Sequence, residues 1–161
     1  MFKTKFILTL GILFLSATVA FGQGRPEWIG QLESTIRQKE PQWKIGDHLV
    51  SNDAPEIYSE SFRLTKAGVT GAVEITIYTV LINPIETFHG LVTANDNMMR
   101  QRKTVLSGLG DEGYMWAGAR PTDHVTVFFR KGKTYVSVFL PGKAAARRFA
   151  KHVADHMPES Q

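Results

Sequence analysis

The chain has 161 residues, 19 Lys and Arg against 15 Asp and Glu for a net charge of +4, and no Cys. That length suits one domain, and 43% hydrophobic with 21% charged residues is the balance of a globular chain, which excludes a disordered or collagen-like one. Without cysteine there is no disulfide scaffold, thiolate metal site, thiol nucleophile or lipidated N-terminal cysteine.

Residues 1–22 have the pattern of a secretory leader. Lys3 and Lys5 form a basic start, residues 6–20 are largely apolar, and Ala20 and Gly22 supply small residues for cleavage before Gln23. The competing reading is an uncleaved membrane anchor, because the uncharged run is about long enough to span a bilayer. Ser16, Thr18 and Gly22 in its second half favour cleavage. Residues 23–161 are then a single secreted or periplasmic domain with no further spanning segment. Loss of Lys3 and Lys5 leaves 17 basic and 15 acidic residues, a net of +2. So small a surplus gives no strong attraction to nucleic acid, which is not expected as a partner.

In chain order, Pro26 opens a helix whose Trp28, Ile29, Leu32 and Ile36 recur at helical spacing, and Pro41 stops it. Three strands are predicted next. The first, over 43–50, is interrupted by Gly46 and Asp47. The second, over 57–64, alternates Tyr58, Glu60, Phe62 and Leu64 against Ile57, Ser59, Ser61 and Arg63. The third covers 72–82. Asn83-Pro84 begins a second helix with Ile85, Phe88, Leu91 and Val92 on one stripe, and Asn95, Asp96 and Asn97 favour its end or a turn. Gly108 is expected to close whatever helix continues beyond that point. Three further strands are predicted at 114–117, 124–130 and 134–140, the last two joined as a hairpin by Lys131-Gly132-Lys133. A final helix over 143–157 gathers Ala146, Phe149, Ala150, Val153 and Met157 on one side and Lys143, Arg147, Arg148 and Lys151 on the other. The result is an α+β fold, an antiparallel sheet of about six strands with three helices in the order αβββαβββα. Each half ends with a strand, a proline and a helix; this echo reads either as a duplication or as a common way for a strand to lead into a helix.

Several short patterns bear on chemistry. Gly108-Leu109-Gly110-Asp111-Glu112-Gly113 matches G-x-G-x-x-G, but no strand-to-helix turn accompanies it and its two acids would repel a phosphate, so it reads as a turn. His152 and His156 lie one helical turn apart, a metal-ligand spacing, yet Val153 stands where a zinc peptidase carries its Glu. A third ligand would have to be His48, His89 or His124. Asp123-His124 is no relay, since neighbours in a strand face opposite ways, and no G-x-S-x-G elbow supplies a serine. Asp111-Glu112 lacks the loop of a calcium site. The cations Arg100, Arg102 and Lys103 read as a solvated face. No catalytic residue, metal or cofactor is assigned. Both faces of the last hairpin are apolar, so either helices cover both or one face lines a groove. Trp116, Phe128, Tyr135 and Phe139 are the candidate ligand contacts in the second case.

The run Leu109 to Tyr114, the hairpin around Lys131-Gly132-Lys133 and the Ala-rich final helix together resemble small secreted or membrane-tethered bacterial domains of unknown function, including PsbP-like extracytoplasmic modules. The resemblance covers residues 106–157, rests on structural features, and carries over no functional residue; Gly113 stands where the related pattern often has Ala. It implies a non-catalytic binding or accessory protein; the aromatic strand faces add an apolar small molecule, and the basic helix faces an envelope protein, as the partners to expect. The alternative from the residues themselves is a small metal-dependent hydrolase using His152 and His156.

Overall fold

A computed structural model describes residues 25–54, 56–71, 73–99 and 101–159. The leader expected over 1–22 and the cation Arg100 lie outside the described residues. No helix among the described residues is long and apolar enough to cross a membrane.

Helix α1 (Glu27–Lys39) is followed by strands β1 (Lys44–Ala54), β2 (Ile57–Thr65) and β3 (Glu74–Val80), then α2 (Pro84–Met98). Strands β4 (Arg102–Leu106), β5 (Glu112–Ala117), β6 (His124–Lys131) and β7 (Thr134–Pro141) precede α3 (Lys143–His156). All strand pairs are antiparallel, in the order β1-β2-β3-β7-β6-β5-β4. The α+β architecture and its three helices agree with the sequence reading, with seven strands in place of about six. The added strand, β4, occupies residues where a continuing helix or loop was expected. It is a sheet edge held to β5 by backbone pairing, with nearly every side chain exposed, so no burial periodicity marks it. Helix α2 runs on through Asn95, Asp96 and Asn97 because Asp96 is held by tertiary bonds, accepting from Trp116 Nε1 at 2.8 Å and from Lys103. The interruption at Gly46 and Asp47 is a register shift within the β1 edge strand rather than its end.

Period-two alternation divides the sheet into two faces. Ile75, Ile77, Val127, Phe129, Val136, Val138 and Leu140 meet α1 and α3 in the larger core. Val80, Trp116, Phe128 and Tyr135 point the other way and meet Phe88 and Val92 of α2 in a smaller one. The molecule is therefore helix, sheet, helix in three layers. A duplicated unit related by a two-fold axis normal to the sheet would place α2 and α3 on the same face. They lie on opposite faces, so the strand–proline–helix echo is not such a symmetry.

Removing Phe149, which is fully buried between α3 and the sheet, leaves a large cavity. Phe149→Ala is expected to cost about 3–5 kcal/mol in urea denaturation, whereas Val105→Ala at the exposed edge changes stability by about 0.5 kcal/mol or less. Equal losses would contradict this assignment of core and edge.

Candidate functional site

The four aromatic residues proposed from sequence share one sheet face, and α2 lies across most of it. Trp116, Phe128 and Tyr135 are buried, and Phe88 stacks on Phe128 at 4.8 Å between ring centroids. Trp116 and Tyr135 also satisfy their polar ends on α2, through Asp96 and the Pro84 carbonyl. Phe139 lies beyond the helix, half-buried and stacked on His124 at 4.8 Å. Trp116, Phe128 and Tyr135 thus belong to a core, and α2 fills the place of an aromatic groove over them.

The histidine-based metal site does not assemble either. His156 Nδ1 donates to the His152 carbonyl at 2.7 Å, which leaves Nε2 to accept from the Thr35 hydroxyl at 2.9 Å in the neutral ring. This bridges α3 to α1. His152 Nε2 lies 3.4 Å from Glu40 Oε1, close enough to pair when protonated but misaligned for a hydrogen bond. His124 stacks on Phe139, and the Asp123 carboxylate accepts from the Arg120 backbone N–H and side chain rather than from the His124 ring.

The Gly-rich turn is structural. Gly110 has φ +122°, and a Cβ there would lie 2.5 Å from the Arg130 carbonyl oxygen, so only glycine permits this approach. Arg130, nearly buried, binds Asp111 at 2.9 Å and Glu112 at 3.1 Å, which ties the β4–β5 turn to the β6–β7 hairpin. His89 of α2 also donates to Glu112 at 2.8 Å. His89 foremost, with Arg130, holds the Glu112 carboxyl below the usual range against the opposing effect of burial. Of the exposed cations proposed from sequence, Lys103 pairs with Asp96, Lys151 with Asp155 and Arg148 with Glu40.

Two places went unrecognised in the sequence. The first is a carboxylate cluster at the α1–β1–β2 end. Glu33, His48 and Glu60 each bring a ligand-type atom within 4.8 Å of the others, and Glu60 is fully buried. Arg25 fills this set: its guanidinium bonds Glu33 and reaches Glu60 Oε1 and Oε2 at 2.9 and 3.2 Å. Tyr58 donates to Glu60 at 2.5 Å and His48 Nδ1 at 3.1 Å. Burial pushes the Glu60 carboxyl up, but the bonds from Arg25, Tyr58 and His48 outweigh it and hold the group below the usual range. The cluster has the donor types of a divalent-cation site, and the Arg25 guanidinium already occupies it and offsets one of its two carboxylate charges.

The second place is a cleft of about 380 Å³ between the β2–β3 turn, the β5–β6 loop and the start of α3. Its walls include Trp43, Lys66, Val69, Pro121, His124 and Arg148, and among the described residues no carboxylate lines it. Lys66 Nζ lies 5.4 Å over the Trp43 ring and has no carboxylate partner among the described residues. Trp43 Nε1 and His124 Nε2 are both shielded from solvent without a hydrogen-bond partner. Arg148 reaches the cleft while its Nε donates to the buried Glu40 at 2.9 Å. Arg148 foremost holds the Glu40 carboxyl below the usual range despite burial. Nothing local announced this cleft, since its cations lie in separate segments of the chain.

Because the folded value of Glu60 is depressed, its ionised form stabilises the fold above the unfolded carboxylate value of about 4.3; that contribution is lost as pH falls through the lower folded value. In urea titrations the stability gap between wild type and Glu60→Gln is expected to shrink steadily on acidification; a pH-independent gap would refute the network. With Arg25 in place, added Zn²⁺ is expected to leave the melting temperature unchanged, and a rise saturating at one equivalent would show that Glu33, His48 and Glu60 prefer the ion. No family model, curated protein or solved structure matches this chain.

Proposed function

We propose that this protein is a non-catalytic binding or accessory module acting outside the cytoplasm, and that it binds through the cleft at the start of α3. The location rests on the leader pattern of residues 1–22. The resemblance to PsbP-like extracytoplasmic modules leads to the same class of role. One observation carries the binding site: the cleft combines a concave surface, an unpaired cation and two buried ring nitrogens without partners. Each unpaired buried polar atom costs on the order of 1–3 kcal/mol, which a bound group could recover. Binding, rather than catalysis, is favoured because several candidate acids and bases are consumed by structure and the histidines of α3 do not converge with a third ligand. Glu60, Glu112 and Asp123 are held by arginines, and His156 bridges two helices.

Residues 23–161, labelled with ¹⁵N, should be titrated with a small-molecule collection spanning neutral, cationic, anionic and apolar compounds. At least one class is expected to move the amide resonances of Gly68 to Thr70 and of Ala145, leaving those of α2 in place. No cleft response to any class would overturn the assignment of the site. Hydrolysis of ester, phosphoester or peptide substrates that is lost in His152→Ala would overturn the non-catalytic reading.

A further inference from the structure

We infer that the cleft at the start of α3 is a site for a small organic oxyanion, its carboxylate or phosphate head held by Lys66, Arg148 and the first turn of α3. The inference rests on the binding role proposed above and names the chemistry of the ligand.

Three independent features give the cleft its sign. Its two ionised side chains are Lys66 and Arg148, and no acid lines it among the described residues. Arg148 shares its charge with Glu40, whereas Lys66 has only the indole face of Trp43 beneath it. The second feature is the helix end. The first backbone N–H groups of any helix lack intrahelical acceptors, and they concentrate positive potential at that terminus. Most helices answer this with a Ser, Thr, Asp or Asn cap or with an early acid. Here the cap is Gly142, no side chain bonds the terminus, and the first turn of this 14-residue helix carries no acid. Gly142 is required in its own right: φ is +81°, and a Cβ would stand 3.3 Å from the Pro121 carbonyl oxygen. The sequence after it, Lys143-Ala144-Ala145, leaves the amides open, and Ala145 lines the cleft.

The third feature points to a ligand rather than to a favourable potential alone. Trp43 lines the cleft, is 4% exposed, and its indole N–H has no acceptor. Indole nitrogen only donates, so the group that satisfies it must accept. His124 also lines the cleft, and its Nε2, equally shielded and unpaired, becomes a donor in one neutral tautomer and in the charged ring. Two cations, an open helix terminus and two unpaired ring nitrogens are the complement of an oxyanion. Val69, Pro121 and Pro141 add an apolar stretch to the wall beside Thr70 and Thr122, which gives a hydrocarbon or aromatic body behind the charged head a surface to rest on.

The test uses isothermal titration calorimetry and ¹⁵N resonance shifts on residues 23–161 with inorganic phosphate, acetate, phenyl phosphate and benzoate. Binding is expected at the cleft, with the aromatic esters and acids tighter than the bare ions. Two variants separate binding from folding. Ala145→Asp places a carboxylate in the first helical turn, so it should keep or raise the melting temperature while weakening anion binding about tenfold or more. Lys66→Met keeps the stem on Trp43 and removes the charge, with a similar loss. If neutral or cationic compounds shift the cleft resonances and these anions do not, the oxyanion assignment fails and the binding role stands. If nothing shifts them, both fail. Equal stabilisation of wild type and Ala145→Asp by all anions would also overturn the site as a bulk salt effect. Phosphatidylcholine vesicles with and without phosphatidic acid distinguish the source of the head group: co-sedimentation that depends on phosphatidic acid and Lys66 indicates a lipid phosphate, and cleft shifts by phenyl phosphate without co-sedimentation indicate a free ligand.

Discussion

Strands β6 and β7 are apolar on both faces, and that single property dictates the arrangement of everything around them. Val125, Val127, Phe129, Val136, Val138 and Leu140 need cover from one side, and Phe128 and Tyr135 need it from the other. A sheet with two apolar faces cannot leave either to water without exposing a patch large enough to associate. The chain resolves this with α1 and α3 on one face and α2 on the opposite one. Three of the four aromatic side chains most suggestive of a ligand groove, Trp116, Phe128 and Tyr135, are consequently enclosed. The cleft proposed as the binding site arises instead where α3 begins and turns meet, beside the sheet.

A second constraint is the handling of buried charge. Glu40 and Glu60 are almost wholly removed from solvent, and Arg130 nearly so. An isolated charge at such depth would carry a prohibitive desolvation cost, and each is met by a geometrically matched partner set. Glu40 meets Arg148, Glu60 meets Arg25, Tyr58 and His48, and Arg130 meets Asp111 and Glu112. Each set joins elements distant in sequence: α3 with the end of α1, Arg25 before α1 with β1 and β2, and the β4–β5 turn with the β6–β7 hairpin. Such networks specify a single packing, and the groups in them are correspondingly unavailable for proton transfer. The contrast with the cleft is instructive, because there the polar ring nitrogens of Trp43 and His124 have no such sets.

Much of the fold was legible in the chain because burial writes a period into it. Ile29, Leu32 and Ile36 mark α1, the alternation from Tyr58 to Leu64 marks β2, and Ala146, Phe149, Ala150 and Val153 mark α3, each found buried as spaced. Glu60 falls within that alternation as an acid on an otherwise apolar face. Its partner Arg25 is 35 residues away, however, and no local pattern links them. Strand β4 was invisible for the complementary reason that an exposed edge strand buries too little to carry a period. The extent of α2 was underestimated because Asn95, Asp96 and Asn97 have poor helix propensity, which the Asp96 bonds to Trp116 and Lys103 override.

The amino-acid sequence by itself determined the class of fold, the boundaries of most elements and the two-sided apolarity of the hairpin, since each is a consequence of local stereochemistry and burial. Only the tertiary structure decided which elements cover which face, that Trp116, Phe128 and Tyr135 lie beneath α2, and that Lys66, His124, Arg148 and the start of α3 share one cleft. Those are relations among residues far apart along the chain. They are set by how the sheet orders its strands and by which side each helix crosses, and no repeat of two or 3.6 residues encodes them.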